Sequence, residues 1–135
     1  MSNNIFPDGE KIHVEICGKL IEVEICSTPN SQFKGYRNVN EEPKEGEGKL
    51  FVFDKEKILS FWMKGVTFDL DIIFFDSKLN YVNHHTMKKL IGENSRNTPT
   101  YLSKKPAMFA VETKSEWCNQ NGVDYSCKLK FIFNN

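Results

Sequence analysis

The sequence lacks any apolar run close to the roughly 20 residues that a membrane-spanning helix needs. Its first nine residues are polar, include Pro7 and Gly9, and lack the charged start and apolar centre of a signal peptide. Eighteen basic residues balance eighteen acidic ones, so no net charge favours nucleic acid or an anionic membrane surface. We therefore expect a cytoplasmic protein that does not bind membranes, and we do not expect nucleic acid among its partners.

Motifs for metal binding and disulfide frameworks are also missing. The four cysteines, Cys17, Cys26, Cys118 and Cys127, are widely spaced and include no C-x-x-C pair. In a cytoplasmic protein this spacing favours reduced thiols in or near the core over disulfides or metal ligands.

Candidate chemistry outside the cysteines is equally sparse. His84 and His85 are adjacent in a predicted strand, so their side chains point to opposite faces and cannot chelate one ion from a regular strand. Neither Ser60 nor Cys118 lies in a nucleophile motif. We therefore predict no metal and no cofactor, and the sequence contains no catalytic motif.

What the chain does have is the composition of a globular domain. It has 135 residues, of which 39% are hydrophobic and 13% aromatic, which is enough for a core. The first ten residues are polar and predict a flexible leader over 1–10. We predict a single globular domain over 11–135.

The densest apolar stretch, residues 48–76, contains six of the eleven phenylalanines. It predicts three strands, over 49–53, 60–64 and 68–75. The last of these is nearly continuous in apolar residues from 70 to 75, a pattern typical of a strand covered on both faces.

The remaining elements surround this centre. Alternating residues 12–26 predict a hairpin with a type II′ turn at Gly18-Lys19, and Thr28-Pro29 predicts a helix that ends at Gly35. Further strands are predicted at 81–87, 106–113 and 128–133, with a short helix at 114–121. Residues 88–105 lack periodicity and predict a long loop. The predicted fold class is α+β: a mostly antiparallel curved sheet or partial barrel of about seven strands with two short helices.

The segment Ser60-Phe61-Trp62-Met63-Lys64, followed by Leu70-Asp71-Ile72, resembles the signature of the family called domain of unknown function 192. Weaker matches follow the family order and together cover about residues 12–133. The chain departs from the family pattern at several positions, including Gln32 and Gly65-Val66, which indicates a divergent member. The family has no established activity, so the resemblance supports the fold and implies no reaction.

Four residues form the candidate ligand-binding site. Trp62 and Lys64 share a strand face, Asp71 interrupts the most apolar strand, and Glu112 lies in the strand after Pro106. Burying a charge without a partner is costly, so Asp71 must be paired, capped by backbone amides or at the mouth of a cleft. One hypothesis is a small pocket lined by all four residues. The alternative is a structural network in which Lys64 pairs with Asp71 or Glu112.

These residues allow three functions. The one we favour is a non-enzymatic binding or accessory domain that engages an unknown small ligand or protein partner near Trp62, Lys64 and the 88–105 loop. The second is a hydrolase-like enzyme with Asp71 or Glu112 as general base and Lys64 as electrostatic stabiliser. The third is a structural or interaction protein, such as a homodimer formed through an exposed strand edge.

Overall fold

A computed structural model describes residues 5–91 and 98–133 and, within them, nine strands and two short helices. The strands are β1 (Lys11–Ile16), β2 (Lys19–Cys26), β3 (Glu47–Lys57), β4 (Ser60–Trp62), β5 (Leu70–Phe75), β6 (Tyr81–Met87), β7 (Thr100–Leu102), β8 (Ala107–Lys114) and β9 (Leu129–Ile132). The helices are α1 (Pro29–Lys34) and α2 (Trp117–Gln120). No helix of the described chain is both long and apolar enough to cross a membrane.

The main sheet curls into a half-barrel with the strand order β6-β5-β8-β3-β2-β1-β9, and β4 pairs with β7 in a separate two-stranded sheet. The α+β class is confirmed. The antiparallel prediction is only partly right, because β2 and β3 run parallel. A parallel pair needs a crossover connection, and α1 with its following loop supplies it.

The first hairpin forms with a different turn from the one predicted. Ile16 pairs with Lys19 and Val14 with Ile21, so the turn residues are Cys17 and Gly18. Both have positive φ, at 52° and 77°, as a type I′ turn requires. The predicted register was wrong by two residues. A shift of two keeps each side chain on its face, so the apolar face of the hairpin forms as expected.

Helix α1 begins and ends where the sequence predicts. Thr28 is its N-cap and accepts a hydrogen bond from the backbone N–H of Ser31. The Ser31 hydroxyl in turn accepts one from the N–H of Thr28, which completes a capping box. Gly35 ends the helix with φ of 43°. The chain then turns towards the sheet at Tyr36, whose ring is buried.

Two hydrophobic layers lie on the two faces of the sheet. Along β5 every residue is buried, and alternate side chains enter opposite layers: Ile73 joins one layer, and Ile72 and Phe74 join the other. Strand β3 divides in the same way, with Leu50 on one side and Phe51 on the other. The prediction of a strand covered on both faces is confirmed.

Two other predicted segments are partly described. Strand β7 lies in the stretch predicted as a loop over 88–105; its three residues are too few to show periodicity in the sequence. Residues 92–97 of that stretch lie outside the described residues. The same is true of residues 1–4 of the predicted leader. In the rest of the leader, Phe6 is buried and the Gly9 N–H donates to the carbonyl of Ile25.

A disulfide joins Cys17 to Cys127, and Cys26 and Cys118 are buried free thiols. The prediction that all four thiols are reduced was therefore wrong for one pair. These two cysteines are 110 residues apart in sequence but their Cα atoms are only 4.9 Å apart. The reason is that β9 pairs with β1, which places the segment before β9 next to the first hairpin turn.

We predict that replacing Cys17 and Cys127 together by alanine lowers the free energy of unfolding by about 2–5 kcal/mol, because a long covalent loop no longer restricts the unfolded chain. Urea unfolding of the variant and of the untreated wild type measures this. A matched control is the wild type in reductant, which should unfold like the variant. Finding all four thiols reactive in the unfolded, unreduced protein would contradict the crosslink.

Candidate functional site

A cavity of about 240 Å³ opens between α1, the turn after it, β3, β4 and β8. Its lining residues are Gln32, Phe33, Lys34, Gly35, Tyr36, Arg37, Phe51, Phe53, Ser60, Phe61, Trp62, Lys64, Val66 and Glu112. Six of these carry aromatic rings and three carry a positive charge. Three of the four residues predicted for the site, Trp62, Lys64 and Glu112, therefore lie around one cavity.

Glu112 is the acidic group of this cavity and is 5% exposed. Within the described part of the chain, no hydrogen bond or ion pair reaches its carboxyl group. Lys49 lies directly opposite it on the neighbouring strand β3. The Lys49 ammonium instead pairs with Glu24 on β2, with an Nζ–Oε1 distance of 2.8 Å. Among the described residues Glu112 therefore makes no ion pair, and Lys49 acts on it only through its charge.

Burial raises the pKa of Glu112 to about 8, and the positive charge of Lys49 opposes only part of this shift. At neutral pH the carboxyl group is therefore mainly protonated and can donate a hydrogen bond as well as accept one. The end of α1 lies close to it: a Cβ atom added to Gly35 would sit 3.6 Å from Oε1 of Glu112. The small residue at this helix end keeps the space beside the carboxyl group open.

The mouth of the cavity is aromatic and positively charged. Trp62 on β4 is 42% exposed, a large fraction for an indole ring. Lys64 places its Nζ 5.5 Å from the centre of this ring. The strand predicted over 60–64 ends at Trp62 and Lys64 lies in the turn after it, so the two residues do not share a strand face. The guanidinium carbon of Arg37 lies 4.4 Å from the Phe33 ring centre and 5.7 Å from that of Trp62. These cation–π contacts hold both positive groups at the mouth.

Sequence reasoning missed Arg37. It follows the predicted helix end by two residues, in a polar segment with no periodicity, and in the family pattern its position is a methionine. Gly65 is the structural clue to its placement, because a Cβ there would collide with the Arg37 side chain. Only the tertiary structure brings these two positions together.

Asp71 lies elsewhere. It pairs with Thr113 on β8, whereas the cavity residue Glu112 pairs with Ile72, so the two carboxylates are on opposite faces of the sheet. Asp71 is fully buried and accepts hydrogen bonds from the Thr86 hydroxyl and from the backbone N–H groups of Glu116 and Cys118. It is capped by backbone amides, one of the arrangements its sequence position allowed.

Neither Asp71 nor Glu112 is paired with Lys64. Within the described residues no carboxylate lies at ion-pair distance from Lys64 or Arg37. The structural network predicted as the alternative, with Lys64 satisfying one of the two acids, is therefore not formed by this part of the chain.

Three side chains that could act as metal ligands lie close together at one place in the described residues. The sulfur atoms of Cys17 and Cys127 and a carboxylate oxygen of Asp124 all lie within 4.8 Å of one another. Both sulfurs are committed to the disulfide, so they do not act as thiolate ligands in this state. His84 contacts the Tyr81 hydroxyl and His85 the carbonyl of Leu102. The absence of a metal and a cofactor stays a prediction.

Comparison with known proteins places this fold in a family. Residues 12–131 match the profile of DUF192, described as "Uncharacterized ACR, COG1430". The chain belongs to the DUF192 family. The resemblance inferred from S-F-W-M-K and L-D-I is confirmed. No protein of the curated collection shows significant sequence similarity to it.

Two crystal structures resemble this DUF192 member closely in fold. One is a candidate transcription regulator from Sinorhizobium meliloti 1021, with a TM-score of 0.77 and 19% identity over 93% of this chain and 96% of that one. The other is a protein of unknown function from Novosphingobium aromaticivorans DSM 12444, with a TM-score of 0.77 and 19% identity over 89% and 84%. At this identity the likeness shows the fold alone.

We predict that Asp71→Asn lowers the free energy of unfolding by about 2 kcal/mol, because an amide nitrogen replaces one acceptor and leaves a buried N–H unpaired. Chemical denaturation measures the loss. Asp54→Asn, at an exposed position on β3, is the matched control and should behave like the wild type. An Asp71→Asn variant as stable as the wild type would show that the three hydrogen bonds contribute little.

We also predict that the stability difference between Glu112→Gln and the wild type depends on pH. The folded-state pKa is about 8 and the ordinary value is 4.5. Between these values only the unfolded chain ionises Glu112, so folding takes up a proton and wild-type stability falls as pH rises, by about 1.4 kcal/mol per pH unit. Glutamine does not titrate, so the variant should gain stability relative to the wild type from pH 5 to 8.

Urea unfolding at several pH values in this window provides the measurement. Glu41→Gln, at an exposed position, is the control and should track the wild type. A pH-independent difference between Glu112→Gln and the wild type would mean that Glu112 is ionised in the folded protein.

Proposed function

We propose that this DUF192 protein is a non-enzymatic binding domain whose small-molecule site is the cavity at Trp62, Lys64 and Glu112. The observation that carries the proposal is the Glu112 carboxyl group, which is buried, lines the cavity and has no partner among the described residues. Its oxygens open onto the cavity, because no fully buried side-chain oxygen of the described residues lacks a hydrogen-bond partner. A ligand group bound in the cavity would supply the missing partner.

The rest of the cavity supports the same function. Phe51, Phe53 and Phe61 form an apolar wall on which a flat molecule can pack, and Trp62 is left largely open to solvent beside it. Ligand sites in proteins generally combine such an apolar lining with a few polar groups that fix orientation. The volume of about 240 Å³ suits a molecule of metabolite size.

Isotope-labelled protein titrated with pools of metabolites, short glycans and nucleotides tests the proposal by NMR. We expect one pool to shift the Trp62 indole resonance and the amides of Lys64 and Glu112. Trp62→Ala should weaken this binding by about tenfold or more, since a buried aromatic contact is a frequent hot spot. Tyr125→Ala, which removes an aromatic ring 87% exposed after α2, should leave it unchanged.

Either of two results would contradict the proposal. One is a folded protein whose spectrum ignores every pool. The other is binding that survives Trp62→Ala with its shifts located away from the cavity.

A second function is favoured by the protonation of Glu112. A carboxylic acid that keeps its proton at neutral pH can act as a general acid, and its conjugate base as a general base. If the protein is a hydrolase-like enzyme, its acid–base group is then Glu112 and not Asp71. Glu112→Gln would then abolish turnover of a ligand that the variant still binds, whereas a pure binding domain shows no turnover in either protein.

The disulfide also bears on the cellular compartment in which the protein works. The Cys17–Cys127 disulfide is of a kind that persists in oxidising compartments and is rare in the cytoplasm. It therefore weighs against the predicted cytoplasmic location, which stays a prediction. The homodimer also stays a prediction.

A further inference from the structure

We propose that the ligand of this cavity is a small organic anion with a planar apolar body, bound with its charge at Arg37 and Lys64 and its uncharged end against the buried carboxyl group of Glu112. The inference rests on the proposed function and specifies the chemical class of its ligand. It follows from how charge and apolar surface are distributed from the mouth of the cavity to its floor.

The mouth selects for negative charge. Lys34, Arg37 and Lys64 all line the cavity, and within residues 5–91 and 98–133 none of them has a carboxylate at ion-pair distance. The Arg37 guanidinium is held beside the rings of Phe33 and Trp62, so its planar fork is pre-oriented for a carboxylate or phosphate. Lys64 adds a second charge near the same indole ring, with its Nζ 5.5 Å from the ring centre.

The middle of the cavity selects for a flat apolar body. The rings of Phe51 and Phe61 meet edge to face at 5.0 Å between centroids, and those of Phe53 and Phe61 at 6.4 Å. Together with Trp62 they offer ring faces and edges to a planar group. Aromatic pairs prefer such offset or edge-to-face geometries, and each contributes beyond its buried area.

The floor rejects positive charge in the neutral range. An ammonium bound at Glu112 would require two charges to be taken out of water together, which is costly in a buried site. Hydrogen bonding between the Glu112 acid and a neutral acceptor or donor on the ligand avoids that cost. Ligands with an ammonium group, such as amines and zwitterions, are therefore the competing class. Their affinity should rise with pH, because an ionised Glu112 would pair with the ammonium group.

The groups that face Glu112 come from four elements. They are Lys49 on β3, Cys26 at the end of β2, Tyr36 after α1, and the mouth residues Lys34, Arg37 and Lys64. Burial raises the pKa of Cys26 to about 12 and raises that of Tyr36 as well, so both stay protonated from pH 6 to 9. Ionisation of Glu112 in this window would put a negative charge on the floor and repel an anionic ligand.

The test uses three probes that share an indole ring: indole-3-acetate as anion, indole-3-acetamide as neutral analogue and tryptamine as cation. Binding to the full chain is measured by NMR or calorimetry at pH 6.5. We expect the acetate to bind about tenfold more tightly than the amide, since charge-assisted hydrogen bonds are roughly twice as strong as neutral ones, and we expect tryptamine not to bind. Arg37→Gln should remove most of the acetate's advantage.

Lys130→Gln is the matched control, because it removes an exposed positive charge on β9 away from the cavity. It should leave the preference for acetate intact. The amide spectrum of each variant establishes that the variant is folded, so a lost preference in a folded Arg37→Gln protein reports the missing guanidinium. A preference that survives in folded Arg37→Gln and Lys64→Gln variants would overturn the assignment of the charge to these residues.

The pH dependence provides an independent readout. Acetate binding to the wild type should weaken as pH rises from 7 to 9, while Glu112→Gln, which is permanently neutral, should bind with the same affinity throughout. Tryptamine binding that strengthens with pH and disappears in Glu112→Gln would overturn the anion assignment and leave the proposed function standing. If none of the three probes binds, the anion assignment fails; if the metabolite pools also fail, the proposed function fails with it.

Discussion

The centre of the main sheet is shut off from water on both faces, and the features of the candidate site depend on that burial. Strands β5, β8 and β3 are neighbours, with a hydrophobic layer on each side. Any polar side chain on β8 must therefore be satisfied by the protein or by something that enters a cavity. Thr113 and Glu112 are consecutive, so their side chains face opposite layers. Each side chain must therefore find its polar partner in a different layer.

Asp71 and Glu112 show two outcomes of the same constraint. The Asp71 carboxylate is satisfied by a hydroxyl and two backbone N–H groups, which makes it part of the framework that holds α2 against the sheet. Glu112 faces the other layer, where the ammonium group of the neighbouring Lys49 forms an ion pair with Glu24. Natural proteins depart from full polar satisfaction mainly at functional sites. Among residues 5–91 and 98–133, an acid without an ion-pair partner lies beside aromatic rings and cations that also lack one, and this arrangement fits that pattern.

Much of the fold was predictable because it rests on local signals. The helix cap at Thr28, the helix end at Gly35 and the doubly buried strand at 70–75 follow from side-chain chemistry within a few residues. The parallel β2–β3 pair, the short strand β7 and the disulfide depend on which distant segments meet. The site divides in the same way. Trp62 and Lys64 are two residues apart and could be paired from the sequence, although β4 ends at Trp62 and Lys64 lies in the turn after it. The exclusion of Asp71 required the β5–β8 register, in which a shift of one residue would exchange the faces.

The disulfide between Cys17 and Cys127 closes residues 17–127 into a covalent ring, with β1 before it and β9 after it. Every residue that lines the candidate cavity falls inside that ring, as do both helices. A single peptide-bond cut anywhere between the two cysteines would leave two fragments that stay joined through the disulfide as one molecule. Loops within the ring can thus be opened by one cut without releasing either fragment, whereas in the reduced protein the two fragments would be held together by packing alone.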